Sequence, residues 1–244
     1  MKKSELYKIL SERIPSSLSE EWDNDGAMII PHDTCVNRIL LSLDATTQAV
    51  SKAIDEKFDL IITHHPLIFR PVSSIVNGKY ISLIENDIAV FSFHTRFDTV
   101  SGGVNDTLAS ILGLVKIESR SIMRIGELEK EMPTDSFAQF VKAKLNCPCL
   151  NYVKRRDTVK KVALVGGDGK GFSTEAENVG ADTYITGNMS YNTMIDASEG
   201  KLNVIEAGHY NTEFPSMYAM KDILLSVNSE FEIEIFDNNP IVTI

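Results

Sequence analysis

Cysteine is scarce: three residues in a chain of 244, at positions 35, 147 and 149. An odd number in a chain this long is not a disulfide framework. Cys147-Pro148-Cys149 is a C-x-C pair with no second pair to complete a four-donor zinc knuckle, so incidental thiols are the plainer reading. No apolar run approaches the ~20 residues of a membrane helix, and no membrane partner is expected. Positive charge is also short: 24 Lys and Arg against 34 Asp and Glu, a net charge of −10. That deficit argues against a nucleic-acid partner, which calls for a basic face to neutralise phosphates. The one basic cluster, Lys154, Arg155 and Arg156 with Lys160 and Lys161, flanks a predicted strand and reads as a solvated edge. The N-terminus carries Leu6, Ile9, Leu10 and Ile14 at helical spacing, without the apolar core or cleavage site of a signal peptide. The expected location is the cytoplasm.

What is present is an ordinary globular composition, 43% hydrophobic and 24% charged, in a chain long enough for one large or two small domains. Strand and helix patterns alternate. "RILLSLD" (38–44), "DLIIT" (59–63) and "IAVFSFHT" (88–95) read as strands, separated by helical segments with Thr46 or Thr47 as a cap. After a less regular stretch, in which Thr134 or Asp135 caps a helix, the rhythm returns. "KVALVGG", "ADTYIT", "LNVIEAGH" and "FEIEIFD" read as strands. The predicted class is α/β: two similar lobes, 1–122 and 123–244, with mixed, mostly parallel sheets. The C-terminal helix and strand are candidates to pack back on the first lobe.

The halves echo each other. "FDLIITHH" (58–65) lines up with "ADTYITGN" (181–188), and the next strand of each half ends in a histidine followed four residues later by a carboxylate: His94 and Asp98, then His209 and Glu213. Four of the five histidines, His64, His65, His94 and His209, therefore fall at predicted strand ends, where open α/β sheets bind ligands. His32 lies in a turn. Neighbouring side chains in extended backbone point to opposite sides, so adjacent His64 and His65 suit two ions better than one. Pro66 restricts the backbone of His65. A carboxylate can bridge two cations, and Asp98 and Glu213 are the candidates. Imidazole with carboxylate suits zinc, iron, manganese or nickel. A histidine at a strand end can also be simply hydrogen-bonded; the joint pattern is what points to metal. Asp44 ends a strand at the same edge and is either a partner for a histidine N–H or a plain helix N-terminal carboxylate.

"DLIITHHPLIF", "HTRFDTVSGGVNDTLA" and "AGHYNTE", with "WDNDG" and "ADTYITGN", resemble the Nif-three-like (NGG-one-interacting-factor-three) family of dinuclear-metal proteins, the GTP cyclohydrolase type-two homologues. The likeness runs over almost the whole chain. It implies two divalent ions per chain held by His64, His65, Asp98, His209 and Glu213 between two α/β lobes, in a toroidal homohexamer. His94 stands beside the transferred ligands as a general acid or base. The chain departs from the family at Ala27 and Met28, where leucines are frequent, and at Asn188, where an acidic residue is frequent. The implied activity is metal-dependent hydrolysis of a nucleotide or other phosphate- or purine-type small molecule; the alternative is a non-catalytic metal-binding, delivery or regulatory protein. "GGDGKG" (166–171) is either a phosphate cradle or a tight strand-to-helix turn; it lacks the Ser or Thr of a Walker loop.

Overall fold

The structure is a computed structural model and describes residues 1–242. In chain order the elements are α1 (Lys3–Arg13), β1 (Gly26–Ile29), β2 (Arg38–Ser42), α2 (Thr47–Asp55), β3 (Leu60–Thr63), α3 (Gly78–Glu85), β4 (Ala89–Ser92), α4 (Thr95–Thr99), α5 (Val104–Ile111) and β5 (Val115–Arg120). They continue with β6 (Met123–Pro133), α6 (Thr134–Lys144), β7 (Asn151–Val153), β8 (Thr158–Val165), α7 (Ser173–Asn178), β9 (Thr183–Thr186), α8 (Tyr191–Glu199), β10 (Asn203–Glu206), α9 (His209–Glu213), α10 (Ser216–Val227) and β11 (Glu232–Ile235).

The chain divides into two compact units. The first is Met1–Val100 with Met217–Pro240; the second is built on Ser101–Ser216. This division differs from the boundary expected at 122/123. That point lies in the turn of an antiparallel hairpin, where Arg120 of β5 faces Met123 of β6, so a boundary there would separate strands that are hydrogen-bonded to each other. α10 from Met217 and β11 group with the first unit, where β11 runs parallel to β2.

The first unit holds a five-stranded sheet in the order β1-β4-β3-β2-β11. All pairings are parallel except β1 with β4. β3 and β4 are buried throughout, which explains their continuous apolar runs: a parallel sheet covered on both faces leaves no strand position for a polar face. Leu40, Ile61 and Val90 pack on one face with Ala49, Val50 and Ala53 of α2 and Leu83 of α3. On α1, Tyr7 meets Phe91 at 5.2 Å between ring centroids. Thr46 caps α2 by accepting a hydrogen bond from the Ala49 amide.

The second unit holds a six-stranded sheet in the order β5-β6-β8-β9-β10-β7. Here β8, β9 and β10 are mutually parallel, while β5–β6, β6–β8 and β10–β7 are antiparallel, so this sheet is mixed with antiparallel pairings in the majority. One face packs Val162, Leu164, Ile185 and Ile205 against Phe137, Ala138 and Val141 of α6; the other packs Ala163, Val165, Tyr184 and Val204 against Ala176 of α7. Neither Thr134 nor Asp135 caps α6: the backbone passes straight from β6 into the helix, which puts Pro133 at the cap position, and its ring has no polar atom to cap with. No helix among the described residues is long and apolar enough to cross a membrane.

Candidate metal centre

The first unit brings three imidazoles together. β3 ends at Thr63, and His64 and His65 follow it directly; β4 ends at Ser92, and His94 is the cap residue of α4. β3 and β4 are neighbours with Thr63 opposite Ser92, so their ends lie side by side. One ligand atom from each of His64, His65 and His94 lies within 4.8 Å of the others. Asp98 sits on α4, buried, with Oδ1 3.6 Å from His64 Nε2. Its position is set by this short helix. Gly102 and Gly103 lead into α5, with Gly103 as the cap residue.

Each ring is oriented through Nδ1. His64 Nδ1 donates to the Phe93 carbonyl at 2.9 Å. His65 Nδ1 meets Asp44 Oδ1 at 2.8 Å, which makes Asp44 the partner of a histidine N–H. His94 Nδ1 meets Asp23 Oδ1 at 2.8 Å. A carbonyl or carboxylate can only accept, so Nδ1 carries the proton and each neutral ring has its lone pair at Nε2. Asp23 is itself fixed: its Oδ2 accepts from the Thr95 amide at 3.1 Å and the Thr95 hydroxyl at 2.6 Å. Burial alone would push the Asp23 carboxyl up, but the hydrogen bonds from His94 and Thr95 outweigh it and bring the pKa down to about 2. Asp23 is therefore an ionised acceptor throughout the neutral range.

The second unit supplies a smaller donor set. β10 ends at Glu206, and α9 carries His209 and Glu213 one helical turn apart. His209 Nδ1 meets Asn188 Oδ1 at 2.6 Å, and its Nε2 lies 3.0 Å from Glu213 Oε2. Asn188 thus keeps an acceptor oxygen where an acidic residue is frequent in the resembled family. Glu213 is buried in space that glycine provides: a Cβ on Gly167, whose φ is +62°, would fall 1.9 Å from Glu213 Oε1. A Cβ on Gly187 would fall 2.6 Å from both the Gly167 carbonyl and Thr212 Oγ1.

The donor chemistry fits a cation in both units. The same tautomer rule leaves a lone pair at Nε2 of His209 and of His64, each facing a carboxylate oxygen. Two such acceptors approach each other favourably only with a cation or an added proton between them. His32 stands apart. It is largely exposed, and its Nδ1 lies 3.3 Å from Asp87 Oδ1, in the cluster that also holds buried Lys3.

The glycine loop at 166–171 is a structural turn. The Gly166 amide donates to Asn105 Oδ1, the Gly167 amide to Thr212 Oγ1 and the Gly169 amide to Thr186 Oγ1, at 2.7, 3.0 and 3.0 Å. Lys170 Nζ pairs with Asp168 at 2.8 Å. These amides are spent inside the protein. Asp23 and Gly187 join the candidate site at positions that the sequence alone does not single out, and Gly167 joins it by making room for Glu213 and not as part of a phosphate cradle. The place of Asp23 in the "WDN" turn becomes a signal only once β4 and α4 are positioned against it; the spatial need for the glycines leaves none.

An α/β chain with imidazole–carboxylate sets at its strand ends has close counterparts among known proteins. The chain belongs to the Duf34/NIF3 (NGG1p interacting factor 3) family, whose model matches residues 1–240. A Clostridium perfringens protein named GTP cyclohydrolase 1 type 2 homolog is 37% identical over 237 residues, covering 91% of this chain and 90% of that protein. The crystal structure of a Staphylococcus aureus hypothetical protein superposes with a TM-score of 0.92 at 27% identity, covering 100% of this chain and 99% of that one. Reduced HcgD from Methanocaldococcus jannaschii gives a TM-score of 0.84 at 28% identity, with 98% of each chain covered.

Proposed function

We propose that this chain is a metal-dependent hydrolase with a dinuclear centre held by His64, His65, Asp98, His209 and Glu213, acting in the cytoplasm on a nucleotide or other phosphate- or purine-type small molecule. The observation that carries the reading is the common orientation of four imidazoles, each tied through Nδ1 to an acceptor and so presenting Nε2. Metal-binding histidines need that arrangement. Two divalent ions supply Lewis acidity and an activated water near neutral pH. Glu213, with two oxygens in a glycine-lined space, is the bridging candidate. His94, held by ionised Asp23, takes or gives a proton at Nε2. Support for the substrate class comes from the name of the Clostridium relative. The reading includes a homohexamer, a closed assembly that light scattering would register as about six chain masses.

Elemental analysis of protein purified without chelator should find about two divalent ions per chain, as a two-metal site requires. His65→Ala should lose at least one, and His32→Ala none. One ion or none after reconstitution with zinc, manganese and iron would overturn the dinuclear reading. Glu213→Gln should sharply weaken both ions and abolish hydrolysis while the metal-free melt stays at wild type.

A second reading is favoured by one observation: His94 shares a ligand group with His64 and His65. If all three imidazoles bind metal, no acid–base group is left over, and the chain is a metal-binding or delivery protein. His94→Ala separates the two. Full metal content with lost turnover supports the hydrolase; lost metal and no turnover by wild type on a broad phosphate panel supports binding alone.

A further inference from the structure

The chain has a single tryptophan, Trp22, and it is 61% exposed. Exposed apolar residues are ordinary one at a time. Trp22 is not alone. Phe69, 46% exposed, lies 6.1 Å from it between ring centroids, and the His94 imidazole lies 6.1 Å away on an edge-on geometry of 78°. The backbone that presents these rings is tied down from several directions. Asp23, next to Trp22, holds His94 and Thr95. The Glu20 amide donates to Thr95 Oγ1 at 2.9 Å, and the Asn24 side-chain amide donates to the Ile68 carbonyl, one residue before Phe69. The turn that orients His94 therefore also fixes an exposed aromatic pair beside it. Arg70, also exposed, follows Phe69 in the chain.

We propose that Trp22 is a stacking shelf, walled on one side by the Phe69 ring tilted 54° to it, for a planar heterocycle carrying an anionic group, and that the two are specificity-determining residues for the substrate handled beside His94. Indole and phenyl faces are the surfaces on which bases stack, with little regard to which base. A ring laid on Trp22 would be parallel to the indole and stand nearly at right angles to the His94 imidazole. The anionic substituent calls for a cation, and Arg70, the exposed residue next to Phe69, is the candidate. The inference rests on the reading of His94 as part of a small-molecule site, and it names the feature by which that site selects: a flat aromatic ring.

The lone tryptophan makes the test direct. Metal-free protein is titrated with guanosine 5′-monophosphate, ribose 5-phosphate or inorganic phosphate while indole emission is recorded. The expected result is saturable quenching by the nucleotide and none by the two non-aromatic phosphates. By calorimetry, Trp22→Ala should weaken nucleotide binding about 5- to 150-fold, the range for loss of one stacked base. Trp22→Phe should recover most of it, and both variants should keep the wild-type metal content. Equal quenching by ribose 5-phosphate, absent saturation, or unchanged affinity in Trp22→Ala would overturn the shelf. So would ligand-free emission already at the wavelength of a buried indole, which would mean that a second copy of the chain covers the ring. Stacking without hydrolysis across the phosphate panel would overturn the hydrolase and leave the shelf standing; hydrolysis indifferent to Trp22→Ala would do the reverse.

Discussion

The halves of the chain follow one plan and use it differently. β1, β2, β3 and β4 are laid down in the order β1-β4-β3-β2; β7, β8, β9 and β10 repeat this as β7-β10-β9-β8, with the same antiparallel edge strand. Each series is followed by a short helix, α4 or α9, then a longer helix and a strand. Those last pieces are exchanged. α5 and β5, which end the first series, belong to the second unit, while α10 and β11, which end the second series, belong almost wholly to the first. At the equivalent strand end the first half places His64 and His65 after Thr63, and the second places Gly187 and Asn188 after Thr186. The first half spends its strand end on donors. The second spends it on room for His209 and Glu213.

The strongest way to break this comparison is through the buried arginines, one in each unit. Arg96 Nε lies 3.0 Å from Asp25 Oδ2, with both side chains inside. Arg124 pairs with Asp106, but that carboxylate is partly exposed, and Arg124 also donates to the Ser121 carbonyl at 3.0 Å. Burial raises the Asp25 carboxyl, and the Arg96 charge offsets that only in part, so it stays above its ordinary value. Arg96→Met strands a buried acid and should cost about 3–5 kcal/mol. Arg124→Met leaves an acid that water can reach and should cost clearly less. Urea unfolding of both variants measures the difference; equal losses would show that the units do not differ in how their charges are buried.

The second test is Gly187→Ala. Its Cβ would meet a backbone carbonyl and, at 2.8 Å, the His209 Cα, neither of which is a flexible tip. Overpacking of this kind costs about 1–3 kcal/mol. The variant should melt lower and bind metal poorly at His209 and Glu213. The matching change in the first half, His64→Ala, removes atoms instead of adding them and should lose metal without that steric penalty. A Gly187→Ala variant with wild-type stability would mean that the glycine is not holding space.

The features of this arrangement that sequence can reveal are those written in local pattern. The paired Ile-Thr strand ends, and the carboxylate four residues after a histidine, are visible because strands are short apolar runs with the chemistry just past them. The match is nevertheless offset in space. His94 caps α4, whereas Gly208 caps α9 and His209 lies one residue further in. β1 is hidden inside "EEWDNDGAMI" because only four residues pair and the strand starts at glycine. α4 leaves no signal, since five residues carry no helical period, and its first residue, Thr95, falls in the expected strand. The exchange of terminal elements is not legible at all: β11 and β5 are chosen by which sheet edge they meet, and nothing in their own residues records that partner.

Third in size is the loss of the acceptors behind the rings. Asp44→Ala frees His65 Nδ1 in the first unit, and Asn188→Ala frees His209 Nδ1 in the second. Removing such a partner typically lowers metal affinity about 10- to 100-fold. Asn188→Asp keeps an acceptor oxygen and should retain affinity, whereas Asn188→Ala should not. Competition with a chelating dye measures all three. If Asp44→Ala and Asn188→Ala both bind as wild type, the Nδ1 contacts do not orient ligands.

The smallest effect concerns how each unit anchors a helix with an acid. In the first, Lys3 of α1 is wholly buried and donates to Asp87 Oδ1 at 2.9 Å; in the second, Lys154 meets Asp135 of α6 at the surface, also at 2.9 Å. Burial alone would raise the Asp87 carboxyl, but hydrogen bonds from Lys3, Thr34 and His32 hold it below its ordinary value. A carboxylate depressed in the folded state contributes stability that is complete above the unfolded value, near 3.9, and is lost as pH falls through the lower folded one. Asp87 sits at φ +54°, a conformation asparagine accepts readily, so Asp87→Asn removes the charge without straining the backbone. It should cost about 1 kcal/mol at pH 7, the scale of a charged hydrogen bond at a half-open site. The gap from wild type should narrow below about pH 4 as the native carboxyl takes up its proton. Asp135 is also held below its ordinary value, by Lys154 and Tyr152, but at a surface pair, so Asp135→Asn should open a smaller gap than Asp87→Asn. Thermal melts from pH 7 down to the acid limit decide it: a constant gap for Asp87→Asn would show that Lys3 is held by the Asp87 carbonyl, 2.6 Å away, and not by the charge.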